Sequence, residues 1–193
     1  MKRTFLLILL NLMIFTAAFA RTNSHPAVVG QEKKIEALTP GTPAPPFSLQ
    51  SLDGNYIFLR DFTGQKLRKP WLNKTKHVVV LSFFATWCVP CQKEIPQLMK
   101  IADMFKDQPV KFFLIDVGEK KSKVQPFIQK KGYTIPVLLD VYQVVSEKYG
   151  AHTLPRLVVI DKNGTVQYYH KGFENKPDFI PEMKKLIEGL LKK

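Results

Sequence analysis

The sequence predicts an α/β protein, a three-layer α/β/α sandwich around a mixed sheet. Three features carry this expectation. Val78 to Phe84 is a β-prone run whose one polar residue is Ser82, which suits a central strand buried on both faces. Directly after it, Ile95, Leu98, Met99, Ala102 and Phe105 fall on one face of a helix. Beyond that, strand and helix patterns alternate until a closing hairpin and helix. The size agrees: 193 residues is room for one sizeable domain. A content of 45% hydrophobic and 11% aromatic residues is enough to bury a core.

The chain opens with residues that do not belong to that domain. Lys2 and Arg3 precede an apolar stretch interrupted only by Asn11, and Ala18-Phe19-Ala20 has the small-x-small form of a cleavage signal. Residues 1–20 therefore read as a secretory signal peptide. The alternative is an uncleaved anchor, although Phe5 to Ala20 is shorter than the ~20 apolar residues that span a bilayer. Residues 21–42 are polar and unpatterned and read as a flexible lead-in. The domain is expected over 43–193.

Pro43, Pro45 and Pro46 give a stiff extended entry. Phe47 to Leu49 and Tyr56 to Leu59 flank Asp53-Gly54, a hairpin signal. Gln65 to Lys76 is basic and contains Trp71. The central strand and a helix carrying Pro96 follow, with a kink expected at the proline. Val110 to Val117 reads as a second buried strand and Lys120 to Lys131 as a helix with a basic outer face. Pro136 to Leu139 is a short strand, and Val144 to Tyr149 a short helix. Leu157 to Asp161 and Thr165 to Tyr169 flank Asn163-Gly164, the strongest turn signal in the chain. Pro177 to Leu191 is an amphipathic closing helix.

Net charge is +13, from 29 Lys and Arg against 16 Asp and Glu. Losing the leader leaves +11. Such a charge predicts attraction to something anionic without naming it. An exported protein meets lipid headgroups and acidic proteins, so nucleic acid is not an expected partner.

The two cysteines cannot build a multi-bridge scaffold. They stand together in Trp87-Cys88-Val89-Pro90-Cys91, after a buried strand and at the start of a helix. Unpaired N–H groups and the positive end of the dipole favour a thiolate there. Cys88 is expected to be the exposed attacking thiol and Cys91 the buried resolving one. Other readings of the pair remain: half of a zinc site, a structural disulfide closing a short loop, or inert buried thiols. His25, His77, His152 and His170 are scattered, and no second C-x-x-C exists.

Phe84-Ala85-Thr86-Trp87-Cys88-Val89-Pro90-Cys91 resembles the active-site segment of thioredoxin-fold proteins, and most closely that of the exported TlpA/ResA-like thiol-disulfide oxidoreductases. The likeness runs from about Pro43 to Leu191. Pro43-x-Pro-x-Phe-x-Leu with Leu52-Asp53-Gly54 is similar to the amino-terminal hairpin of that family, and Pro96 to its kinked helix. Leu154-Pro155 is similar to its cis-proline segment. Cys91 and Pro155 are 64 positions apart, which leaves room for the family's helix-strand insertion at roughly Ser122 to Tyr149.

The resemblance implies catalysis by Cys88 and Cys91, with no cofactor beyond that redox-active pair and no metal. It implies a substrate-binding surface at Trp87, Pro90, Leu154, Pro155 and Arg156. Thioredoxins keep a buried acid six residues before the first cysteine, but here that residue is Ser82. Glu94, three residues after Cys91, is the replacement candidate as proton acceptor. Its other reading is an exposed carboxylate at a helix start. Arg156 stands where a small polar residue is usual; it either faces acidic substrates or Cys88, or snorkels to solvent. His152 reads as a loop residue near the site. The basic segment 65–76 is either a contact loop for an acidic partner or a membrane surface, or a solvated loop.

The implied function is an exported thiol-disulfide oxidoreductase, in the bacterial periplasm or on the extracytoplasmic face of the membrane. It would reduce specific protein disulfides, those of apocytochrome c among them, be re-reduced by a membrane thiol-electron transporter, and act as a monomer. The alternative is an exported copper chaperone holding Cu(I) on the same cysteines. A peroxidase is not expected, because the P-x-x-x-T-x-x-C signature is absent.

Overall fold

The computed structural model describes residues 38–70 and 73–193. The expected leader, most of the lead-in and Trp71 lie outside the described residues. Seven strands, β1 Ser48–Ser51, β2 Tyr56–Phe58, β3 Val78–Phe84, β4 Val110–Val117, β5 Val137–Asp140, β6 Arg156–Ile160 and β7 Val166–Lys171, form one sheet in the order β2-β1-β5-β4-β3-β6-β7. Four helices accompany it: α1 Val89–Met104, α2 Lys121–Lys131, α3 Val144–Lys148 and α4 Phe179–Leu191. Strands β3, β4 and β5 run parallel, and the flanking pairs are antiparallel, so the sheet is mixed as expected.

The period of two in β3 divides the core. Val78, Val80 and Phe84 face the cluster that holds α1, α4 and the buried residues of α2. Val79, Leu81 and Phe83 face a second cluster with Phe47, Leu59, Phe62 and Val145 of α3. The second layer is thus one short helix, a 3₁₀ turn at Leu59–Asp61 and the entry segment, thinner than a full layer of helices. The expected insertion contributes α2, β5 and α3, and β5 widens the sheet by joining β4 to the amino-terminal hairpin.

Both turn signals are turns. Gly164 has φ +84°, its N–H donates to the Asp161 carbonyl at 3.0 Å, and Asp161 Oδ1 accepts from the N–H groups of Asn163 and Thr165. The entry segment lies alongside this hairpin: Gly41 N–H donates to the Val166 carbonyl at 2.8 Å, and Ala44 N–H to that of Gly164 at 2.8 Å. Leu38 is buried in the second cluster. The domain therefore begins before Pro43, and 38–42 are part of it rather than of a flexible lead-in. Apolar burial of Leu38 and pairing with the hairpin outweigh the polar composition on which the boundary was drawn.

Helix α1 runs through Pro96, which is exposed, so the missing N–H lies on the solvent side. Helix α2 carries Pro126 in its interior, which the pattern did not mark. No helix among the described residues is long and apolar enough to cross a membrane.

Candidate active site

Strand β3 ends at Phe84, and the chain turns through Ala85, Thr86 and Trp87 into α1. Cys88 is the N-cap of that helix, with extended backbone (φ −78°, ψ 100°). Its Sγ accepts the Cys91 N–H at 3.2 Å, so one of the unpaired amides of the first turn is aimed at the sulfur. Pro90 occupies the first turn, where a missing N–H costs nothing. Cys88 and Cys91 are joined by a disulfide of 2.01 Å.

Cys91 is fully buried as expected, but Cys88 is only 3% exposed, which corrects its reading as an exposed thiol. As an N-cap its side chain folds back over the helix end, and the bond to Cys91 holds it there. What stands in solvent is the ring around it: Trp87 is 67% exposed and Val89 61%. Trp87 is thus a solvent-facing aromatic next to Cys88 in the chain. It lines a cleft of about 400 Å³ with Glu119, Lys123, Gln143, Glu147, His152 and Leu154 among its walls.

Glu94 is 1% exposed, which removes the reading as a surface carboxylate. Its position three residues after Cys91 puts it among the inward residues of α1, with Ile95 and Leu98. Ser82 Oγ donates to Glu94 Oε2 at 2.6 Å, while Oε1 has no partner. Ser82, at the position where the resemblance implies a buried acid, thus hydrogen-bonds the buried Glu94 carboxyl. Burial pushes the Glu94 carboxyl up to about 7, and the Ser82 hydrogen bond only partly opposes the shift. It is poised to gain or lose a proton near neutrality.

The Leu154–Pro155 bond is cis. Leu154 packs against the cluster that holds both cysteines and also lines the Trp87 cleft, and His152 lies in that cleft too. Arg156 is placed differently from expectation. It is 6% exposed and pairs in register with Phe83, whose side chain lies in the second cluster, so it faces away from the dithiol side of the sheet. Its Nη2 donates to the Gly150 carbonyl at 3.0 Å and to Thr153 Oγ1 at 3.2 Å, and its guanidinium lies 4.8 Å from the centre of the Tyr169 ring. It does not snorkel to solvent and does not face Cys88; it holds the loop that leads into Pro155. The alternation of strand β6 decides this, and Arg156 is one step out of phase with the dithiol face.

The basic segment is partly structural. Arg68 makes two hydrogen bonds to the Asp61 carboxylate, at 2.6 and 3.0 Å, and lies over the Phe58 ring. Lys76 reaches the Gln65 carbonyl at 3.2 Å and Asn163 Oδ1 at 3.4 Å.

Two acids went unmarked in the sequence. Asp116 is the penultimate residue of β4 and is fully buried, and Glu119 follows in the loop before α2. The Glu119 carboxylate accepts from the Thr86 N–H at 2.6 Å and from Thr86 Oγ1 at 2.9 Å, and pairs with Lys123 at 2.5 Å. It thereby grips the turn two residues before Cys88. Only register reveals this: Phe84 pairs with Asp116 across β3 and β4. Among the described residues, no group of three or more His, Cys, Asp or Glu side chains is placed to hold a metal ion.

Comparison with known proteins agrees with this geometry. A model of the AhpC/TSA family matches residues 40–169. Thiol-disulfide oxidoreductase ResA of Geobacillus thermodenitrificans is 33% identical over 142 residues, covering 74% of this chain and 75% of its own. ResA of Bacillus subtilis is 31% identical over 155 residues, 80% of this chain and 78% of its own. A Chlorobium tepidum structure described as a thiol:disulfide interchange protein DsbE superposes with a TM-score of 0.67 at 26% identity, covering 80% of this chain and 99% of that one.

Proposed function

This chain belongs to the AhpC/TSA family as a thioredoxin-fold thiol-disulfide oxidoreductase of the ResA type, and on that premise we propose that it is an exported reductase of specific protein disulfides. The observation that carries this reading is Cys88 capping α1, with its sulfur receiving the Cys91 N–H and the buried Glu94 carboxyl one turn further along the helix.

The reaction starts from the dithiol. The Cys88 thiolate, favoured by the amide at the helix start, attacks one sulfur of a substrate disulfide. A Cys88–substrate bond forms and one substrate thiolate leaves. Glu94 as carboxylate takes the proton of the Cys91 thiol. The Cys91 thiolate then attacks Cys88 Sγ and expels the second substrate thiolate. Substrate has gained two electrons, and the Cys88–Cys91 disulfide remains. Trp87, Pro90, Leu154 and cis-Pro155 form the surface on which the substrate chain lies, with Glu94 the proton acceptor behind it.

The reducing direction rests on the family resemblance and on a buried acid suited to deprotonate a resolving thiol. The same resemblance supports apocytochrome c cysteines as substrate and a membrane thiol-electron transporter as reductant. The leader-like residues 1–20 support action outside the cytoplasm.

The test is a redox titration of the Cys88–Cys91 couple alongside reduction of insulin and of a disulfide-bonded C-x-x-C-H peptide. A reversible two-electron couple, turnover abolished by Cys88→Ser, and preference for the peptide are expected. A pair that cannot be cycled, or stoichiometric Cu(I) capture without turnover, would overturn the reading.

A further inference from the structure

We propose that Asp116 is a positioning residue for exchange at Cys88: its carboxyl carries the one proton of the Asp116–Glu119 pair and thereby holds Glu119 where it grips Thr86. The inference rests on the reading of the chain as a dithiol enzyme and extends it to a group outside the dithiol and its acid.

The geometry starts at Thr86. Its N–H and hydroxyl are both bound by the Glu119 carboxylate, and its carbonyl accepts from Gln92 Nε2 of α1 at 2.9 Å. Cys88 N–H donates to the Ala85 carbonyl at 3.0 Å. The turn that delivers Cys88 to the helix end is therefore pinned from both sides, and Glu119 is the pin on the sheet side. Glu119 is itself held from below: its N–H donates to Asp116 Oδ1 at 3.1 Å.

Two buried carboxyl groups linked in this way share a proton, because two charges there would repel with little solvent to screen them. Asp116 Oδ2 is buried with no hydrogen-bond partner, as fits an uncharged carboxyl rather than an ionised one. Lys123 compensates one negative charge, from the solvent side, and meets Glu119. Glu147 and His152 face the same cleft, while the register partners of Asp116 in β3 and β5 are Phe84 and Leu139. One proton and one cation thus suit two carboxyls. Burial first, and the Glu119 carboxylate second, push Asp116 up to about 8, while Glu119 is held low by Lys123 and Thr86. When Asp116 loses its proton, the pair becomes doubly negative and the grip on Thr86 weakens.

The test uses the full domain and reads Thr86 directly. In the oxidised protein the cysteines do not titrate, and a Glu94→Gln background removes the other acid that titrates near neutrality. The Thr86 amide resonance is expected to move with a midpoint near 8 and to stay flat in Asp116→Asn, which keeps a donor toward Glu119 at every pH. In the reduced protein, Asp116→Ala is expected to change the rate of Cys88 alkylation at neutral pH by roughly threefold or more, the scale of a lost buried hydrogen bond, with rescue by Asp116→Asn. The same Thr86 titration in wild type and Asp116→Asn would overturn the proposal, as would an unaltered alkylation rate in Asp116→Ala. If Asp116→Ala does not fold, the Thr86 titration decides alone. Insulin turnover by the wild type tests the enzyme reading separately, since a chain without turnover would still show or lack the Thr86 titration.

Discussion

At the residue scale, the site depends on groups whose charge is set by burial. Glu94 titrates near 7 because it is desolvated, and Ser82 is the one hydrogen bond that moderates this. Ser82→Ala is therefore expected to raise the Glu94 midpoint further, read from the carboxyl carbon resonance across pH. Glu94→Gln removes the proton acceptor proposed for Cys91, so the pH profile of resolution of a Cys88-linked mixed disulfide should lose its inflection near 7. An unchanged profile would dismiss the role. Glu94 itself was legible in the sequence, because three residues after Cys91 on a helix is the same face. Asp116 and Glu119 were not. They lie 25 and 28 residues beyond Cys91, and only parallel pairing of β3 with β4 brings them to Thr86.

At the element scale, β3 and α1 do most of the positioning. Leu98 of α1 is buried in the cluster that holds the dithiol, so Leu98→Ala should cost about 2–5 kcal/mol through lost contacts and the cavity left behind. Guanidinium unfolding measures it. The β6–β7 turn is the other sensitive element. A Cβ at Gly164 would meet the Gly64 Cα at 2.9 Å, and its φ is +84°, so Gly164→Ala is expected to destabilise by about 1–3 kcal/mol. The strands, helices and both hairpins were readable from periodicity and turn residues, because those signals are local. Arg156 was misread for a reason at this same scale. Its place after Pro155 suggested the dithiol face, yet the strand alternates, and alternation put it on the other one.

For the molecule as a whole, two buried acids set how stability follows pH. Glu94 and Asp116 both have folded-state midpoints above those of the unfolded chain, so the native state binds more protons between about pH 4 and 8. Their stabilising contribution is fully present below the unfolded midpoints and is lost as pH rises through 7 and 8. The urea midpoint should fall across that window, with Glu94 contributing roughly 3 kcal/mol at most, and Glu94→Gln should flatten part of the slope. A midpoint that rises from pH 5 to 8 would contradict it. The sequence by itself determined the α/β sandwich, the dithiol at a helix start and the acid beside it, because each is written in residues near one another along the chain. The tertiary structure alone decided that Cys88 is tucked under its helix end, that Arg156 faces away from the dithiol and bonds a loop, and that Glu119, with its N–H on Asp116, binds the turn before the dithiol. Strand register and burial bring together groups far apart in sequence, and they also fix which of those groups carry charge.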